Sequence, residues 1–240
     1  MRKHIFFFSV VSLTLILLMN TAFAAGVLTV TQERFLVIPK DTYYSGKIFV
    51  EVTNTGDATA QFSGGTFALY NAKGAVIGSR DLSGYCIPSV LEPGEIGLFW
   101  ARIDVEEAKK PDYIADYSLE ISGQDQITDS IYRLPVTASF KNITDSASEY
   151  SYKIRGLILN DTDEEVLTWY TIFSLKDEAG TLLYVSPWSY DGRPAGKGIK
   201  PDDTTEMNMD MLSSDTSTSV YFDDDHIPAS AEFIAFYFVD

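Results

Sequence analysis

The sequence predicts an all-β protein, with two tandem antiparallel β-sandwich domains behind an N-terminal signal peptide. Three observations lead to this prediction. A short apolar leader ends in a cleavage motif, short strand patterns separated by turn residues recur through the remaining chain, and several sequence blocks occur twice. Each element of the prediction has its own physical basis.

The first 24 residues have the three parts of a secretory leader. A basic start (Met1–His4) precedes an apolar run (Ile5–Leu18), and Ala22-Phe23-Ala24 supplies small residues at the positions that signal peptidase reads. The run is shorter than the ~20 apolar residues that a spanning helix needs. Cleavage before Ala25 is therefore predicted, and retention of the leader as an anchor is the alternative.

The remaining 216 residues contain two copies of one pattern. Asn54, Phe67 and Leu69 in the first copy match Asn160, Phe173 and Leu175 in the second, 106 residues later. Pro93-Gly94 matches Pro201-Asp202, and the segment 113–119 is aligned with 233–239. Because three blocks recur in the same order, the sequence indicates a duplication, with domains at 25–127 and 128–240.

Each copy shows the signals of paired strands. Phe67 and Leu69 lie two residues apart and so share one face of a strand, as do Phe173 and Leu175. Asn71–Gly74 and Asp177–Gly180 have the residues of a type I turn followed by a glycine bulge. Short strands with regular turns favour an immunoglobulin-like sandwich over a parallel sheet.

The repeated hairpin resembles the FxLYD-type domain of bacterial secreted proteins. The first copy reads Phe67-Ala68-Leu69-Tyr70-Asn71 and the second reads Phe173-Ser174-Leu175-Lys176-Asp177, so each departs from the motif once. The resemblance implies an immunoglobulin-like fold in an extracellular setting. It implies no catalytic residues, no cofactor and no particular ligand.

Composition restricts the partners. The leader holds two of the 18 basic residues and none of the 34 acidic ones, which leaves a formal net charge of −18 after cleavage. Such a chain is repelled by nucleic acids and by anionic lipid or wall polymers. The single cysteine, Cys86, excludes an intrachain disulfide and is expected to be a buried apolar residue.

Catalytic and metal motifs are missing from the sequence. There is no Gly-x-Ser-x-Gly elbow, HExxH motif or Cys-x-x-Cys pair, and the predicted mature part has one histidine, His226. We therefore expect a protein that is not an enzyme and has no cofactor. Asp223, Asp224 and Asp225 are weak candidates for Ca²⁺ ligands, and a solvated loop is the alternative.

The candidate binding site is a Pro- and Gly-rich loop in the second copy, at 186–196. It carries Trp188 and Tyr190 beside Asp191 and Arg193, which combine stacking area with directional hydrogen bonds. The alternative is that Trp188 packs against its own sandwich.

The sequence thus favours a secreted, non-catalytic binding or adhesion module at the bacterial cell envelope, which recognises a protein or a polysaccharide. The contact surface is this loop or an exposed strand edge. A secreted carboxylate-dependent hydrolase and a structural spacer without a ligand are the alternatives.

Overall fold

The computed structural model describes residues 25–124, 126–143, 152–187, 189–194, 196–211 and 226–239. The predicted leader lies outside these residues. Within them the chain is all-β with antiparallel pairing throughout, which confirms the predicted fold class. The single helical element of the described residues is one 3-10 turn, Pro111–Tyr113.

The N-terminal half forms two sheets from seven strands of the described residues. The strands are β1 (Leu28–Pro39), β2 (Tyr44–Asn54), β3 (Ala60–Tyr70), β4 (Val76–Asp81), β5 (Val90–Leu91), β6 (Ile96–Val105) and β7 (Asp116–Gln124). One sheet has the order β1-β2-β6, and in the other β3 pairs with β4, β5 and β7. The core between them contains the inward residues of both, including Ile48, Phe67, Leu69 and Phe99.

The C-terminal half repeats this arrangement. Its strands are β8 (Ile131–Leu134), β9 (Val136–Asn142), β10 (Tyr152–Leu159), β11 (Thr168–Lys176), β12 (Leu182–Val185), β13 (Ser189–Gly192), β14 (Thr204–Met211) and β15 (Ser230–Phe238). One sheet has the order β14-β10-β9, and the other has the order β12-β11-β15-β8 with β13 also on β11. No sheet of the described residues mixes strands from the two halves. The boundary between 127 and 128 lies between β7 and β8 and stays a prediction.

The two matched asparagines explain why the copies share a sequence pattern. Asn54 is the last residue of β2, Asn160 directly follows β10, and both are fully buried. The Asn54 amide donates to the carbonyls of Ala58 (2.7 Å) and Leu91 (2.8 Å). The Asn160 amide donates to those of Glu164 (2.7 Å) and Ile199 (2.8 Å). Each asparagine thus holds two loops to its strand with the same four-residue and 37- to 39-residue spacings.

The hairpin turns also match in both copies. The Asn71 side chain accepts from the backbone N–H groups of Lys73 and Ala75, and the Asp177 side chain accepts from those of Ala179 and Thr181. Gly74 (φ 74°) and Gly180 (φ 81°) complete the turns in the left-handed region. Both hairpins contain the register shift that a glycine bulge produces.

The last repeated block, in strands β7 and β15, matches between the two copies in a different register from the one that the sequence suggested. Leu119 lies opposite Phe67 on β3, and Phe233 lies opposite Phe173 on β11. Leu119 therefore corresponds to Phe233 and not to Val239, so the alignment of 113–119 with 233–239 was wrong by six residues. Alternating apolar strands look alike after any even shift, and only the partner strand fixes the register.

The two halves pack against each other. The outer face of the β1-β2-β6 sheet lies against β11 and β12, where Phe49 and Leu98 join the apolar cluster of the C-terminal half. Because both of its faces are covered, β2 is buried along almost its entire length.

Candidate functional site

The loop predicted at 186–196 contains a strand. Residues Ser189–Gly192 form β13, which pairs with β11 and places Tyr190 opposite Tyr170. Sequence reasoning missed this strand because the segment is rich in Pro and Gly, whereas β11 offers an edge with which it pairs. Trp188 lies outside the described residues, as does the side chain of Tyr190.

The other two predicted ligand residues contact each other and the sandwich. Arg193 forms an ion pair with Asp191 (Nη2 to Oδ2, 2.7 Å), and its guanidinium lies 5.0 Å from the centre of the Trp169 ring. The hydrogen bonds that Arg193 donates to Asp191 raise the pKa of the Arg193 side chain. Trp169 itself is buried. This pair therefore covers one ring of the C-terminal core.

The predicted Ca²⁺ candidates Asp223, Asp224 and Asp225 lie outside the described residues. In the described ranges, no group of three or more His, Cys, Asp or Glu side chains is arranged to hold a metal ion. His226 is half-buried at the start of the last described segment.

A cleft between the two halves has the composition of a binding site. Its volume is about 270 Å³, and its walls are Arg80, Gly84, Tyr85, Phe99, Trp100, Ile172 and Pro187. The first five belong to the N-terminal half and the last two to the C-terminal half. Pro187 directly precedes Trp188, so the cleft begins where the predicted binding loop begins.

Strand geometry explains why Trp100 faces this cleft. Its neighbours on β6, Phe99 and Ala101, belong to the core of the N-terminal half, so Trp100 is on the opposite face of the strand. That face meets the C-terminal half, and Trp100 is half-buried there. A large aromatic residue on the outward face of a strand is the sequence signal that could have identified the site.

Two cations lie against the aromatic rings. The Arg80 guanidinium is 5.9 Å from the centre of the Tyr85 ring, and its Nη1 donates to the carbonyl of Arg102 at 3.0 Å. Nearby, the Lys47 ammonium lies 4.7 Å from the Trp100 ring and 4.8 Å from the Phe49 ring. These contacts position the rings and place positive charge beside the cleft.

Lys47 is unusual because it is buried. Burial, together with the positive charges of Arg102 and Lys40, lowers its pKa to about 8. Arg102 is the direct cross-strand neighbour of Lys47 on β6, an arrangement of like charges that normally destabilises a sheet. Arg80, Lys47 and Arg102 therefore place basic side chains in or near the cleft, although the chain as a whole is strongly acidic.

The cleft suits recognition by stacking and hydrogen bonding. Tyr85 and Trp100 offer ring surface, and Arg80 offers several N–H donors at the rim. None of the described residues that line the cleft carries a carboxylate. Larger depressions occur within single halves, at Lys73 and Tyr113 (about 550 Å³) and at Phe140 and Ile227 (about 670 Å³). A further depression of about 370 Å³ also lies between the halves, with Glu95 and Arg133 in its lining.

Comparisons with known proteins add little to this picture. No protein-family model matches the chain, and no curated protein matches it in sequence. A solved structure of red sea bream transglutaminase is similar at 8% identity, covering 88% of this chain and 29% of that one, with a TM-score of 0.22. The chain therefore spans less than a third of that protein, and a likeness at this level carries no argument. Within the described ranges, no helix is long and apolar enough to cross a membrane.

Proposed function

We propose that this chain is a secreted, non-catalytic binding module of the bacterial cell envelope, and that its ligand, a protein or a polysaccharide, binds in the cleft between the two halves. The observation that carries this proposal is the cleft itself. The N-terminal half contributes the aromatic side chains of Tyr85 and Trp100 and the guanidinium of Arg80, and the C-terminal half contributes Pro187. These groups converge on one concave surface.

The setting of the proposal comes from the sequence. The leader that ends at Ala24 and the resemblance to FxLYD-type domains both support an extracellular location. The acidic balance of the chain disfavours nucleic acids and other polyanions as ligands. A neutral sugar or an extended peptide fits these constraints, because both present flat apolar surface that stacks on Tyr85 and Trp100.

The geometry supports binding better than the two alternatives. A glycoside hydrolase needs two carboxyl groups on either side of the scissile bond, and the part of the cleft wall that the structure describes supplies none. A structural spacer needs no converging aromatic and cationic groups at a junction. The spacer becomes the preferred reading if no ligand is found.

The test is a binding survey of the exported protein against envelope polysaccharides and surface proteins. For a ligand that binds saturably, Arg80→Gln and Tyr85→Leu should each weaken binding by about tenfold or more, since both alter the cleft. Arg193→Gln is the matched control: it removes an exposed arginine that contacts an aromatic ring outside the cleft. Circular dichroism checks that the variants remain folded.

The outcomes separate the two candidate surfaces. Loss of binding in Arg80→Gln with normal binding in Arg193→Gln supports the cleft. The reverse pattern overturns the cleft and returns the site to the segment Trp188–Arg193. Absence of any saturable partner overturns the binding proposal.

A further inference from the structure

The residue predicted to follow the cleavage site is already held by a carboxylate. The backbone nitrogen of Ala25 donates to Oδ1 of Asp57 at 2.8 Å, and the backbone nitrogen of Asp57 donates back to the Ala25 carbonyl at 3.2 Å. Two reciprocal hydrogen bonds therefore clamp the start of the first sandwich to the loop that follows β2.

Two glycines allow the segment to approach this loop closely. A Cβ atom on Gly56 would lie only 2.1 Å from the Ala25 carbonyl oxygen and 2.6 Å from the Val27 nitrogen. A Cβ atom on Gly26 would lie 2.5 Å from Cβ of Ala60. Any side chain at either position would force the backbone apart, so the docking site fits this segment closely.

The segment also completes the hydrogen bonding of a buried group. Oδ1 of Asn54 accepts from the backbone nitrogens of Gly56 (3.0 Å) and Val27 (3.1 Å). In the second copy, Oδ1 of Asn160 accepts instead from the nitrogen (3.0 Å) and the hydroxyl (2.7 Å) of Thr162. The backbone nitrogens of Gly56 and Thr162 are equivalent donors, so the first copy uses the Val27 nitrogen where the second copy uses the Thr162 hydroxyl.

We propose that Asp57 is the binding site for a new N-terminus. Hydrolysis of the Ala24–Ala25 bond adds one water, releases the leader with the Ala24 carboxylate, and leaves an ammonium group on Ala25 that pairs with the Asp57 carboxylate. The amide N–H that now donates to Asp57 becomes one of three N–H donors of a cation, and a charge-assisted hydrogen bond is stronger than a neutral one. The inference depends on the export part of the proposed function and is independent of the cleft.

The pair gives the processed protein a characteristic pH dependence. An ammonium group beside a carboxylate keeps its proton to higher pH in the folded state than in the unfolded state. Its contribution is therefore fully present below the ordinary range of an α-amino group, about pH 7.7–8.0, and is lost as the pH rises beyond it. Of the other acidic groups around this loop, Glu92 accepts from Thr59, and Glu95 is paired with Arg133.

The second copy provides a matched control. Asp163 occupies the position that corresponds to Asp57, three residues after the buried asparagine, and it is exposed. No chain terminus is predicted beside it. Asp57→Asn removes the charge at the proposed site, and Asp163→Asn removes the same charge at the equivalent site of the other half.

The experiment uses the full-length chain, expressed in a bacterial host and recovered after export. Intact mass should show the loss of 24 residues, which leaves Ala25 as the first residue. Denaturant unfolding is then measured between pH 6 and pH 10. Relative to wild type, Asp57→Asn should lower the ratio of folded to unfolded protein about two- to fivefold near pH 6 and leave it unchanged near pH 10. Asp163→Asn should have no such pH-dependent effect.

Selective acetylation of the α-amine gives a second readout that does not depend on a mutation. It should lower the stability of wild type near pH 6 and leave Asp57→Asn unaffected. A first residue other than Ala25 overturns the inference without affecting the cleft, whereas a retained leader overturns both the inference and the export that the proposed function assumes. Equal pH profiles for wild type and Asp57→Asn also overturn it.

Discussion

Lys176 links the two halves through buried charge, and removing it should destabilise the whole chain. Its ammonium lies 2.8 Å from Oε2 of Glu51, on β2 of the N-terminal half, and 2.7 Å from Oε2 of Glu232 on β15. The Lys176 and Glu51 side chains are only 12% and 7% exposed. Lys176→Met therefore leaves the Glu51 carboxylate in the interface without its cation.

The magnitude follows from this burial. Breaking one side of a buried ion pair typically costs about 3–5 kcal/mol, because the remaining charge keeps its desolvation penalty. The hydroxyl of Thr31 lies 3.2 Å from Oε1 of Glu51 and offsets part of that penalty. We therefore expect Lys176→Met to lower the free energy of unfolding by about 3 kcal/mol.

The pKa of Lys176 is raised, as expected for an ammonium group that is paired with carboxylates. Burial alone would lower it, but the hydrogen bonds to Glu232 and Glu51 outweigh burial and raise the pKa above its ordinary value. A raised lysine pKa means that the contribution is present throughout neutral pH and is lost only as the pH rises through that pKa. The effect of the mutation should therefore be fully measurable at pH 7.

The assay is urea unfolding at pH 7, followed by tryptophan fluorescence and far-UV circular dichroism. Glu232→Gln is the matched control, because that carboxylate is 50% exposed and such pairs contribute about 1 kcal/mol or less. Replacing both Glu51 and Lys176 by Leu should cost less than Lys176→Met alone, since the only carboxylate left unpaired is then Glu232, which is half exposed to solvent. If Lys176→Met costs less than about 1 kcal/mol, or no more than Glu232→Gln, the argument for a buried link between the halves is refuted.

Three further predictions concern single buried groups. Asn54→Asp and Asn160→Asp should each lower the free energy of unfolding, measured with denaturant, by about 2–4 kcal/mol. Each change replaces an amide group that donates to two buried carbonyls by a carboxylate oxygen, which cannot donate. Clearly different losses for the two variants would contradict the equivalence of the two asparagines. The pKa of Lys47 is about 8 in the folded protein, whereas the unfolded side chain keeps its proton to about pH 10.5. Between these values the unfolded state binds more protons than the folded state, so the stability of the wild type rises with pH. Relative to Lys47→Met, the wild-type free energy of unfolding should therefore increase by up to about 1.4 kcal/mol from pH 8 to pH 9. Parallel pH profiles would disprove this. Burial raises the pKa of Cys86 to about 12, so thiol reagents should label it only at the rate of unfolding, and rapid labelling of the folded protein would show that the site is open.

Local patterns in the sequence were sufficient for the fold class and for the duplication. The side chains of Asn71 and Asp177 bond the backbone within four residues, and Gly74 and Gly180 take the left-handed conformation that ends each turn. Such interactions depend on residues that are neighbours in the chain, so they can be read without a structure. The burial of Cys86 was predicted in the same way, from its apolar surroundings.

The candidate site could not be read in this way, because it depends on how the two halves meet. Arg80, Tyr85 and Trp100 come from one half and Pro187 from the other, about a hundred residues away. Strand β13 and the alignment of the last strand likewise depended on partner strands. The amino-acid sequence by itself determined the repeated hairpin strands and their turns, since these follow from alternation and local hydrogen bonds. Only the tertiary structure decided which outward faces were covered and which formed a cleft, because apolar side chains gain stability by burial against any suitable surface and do not specify which one.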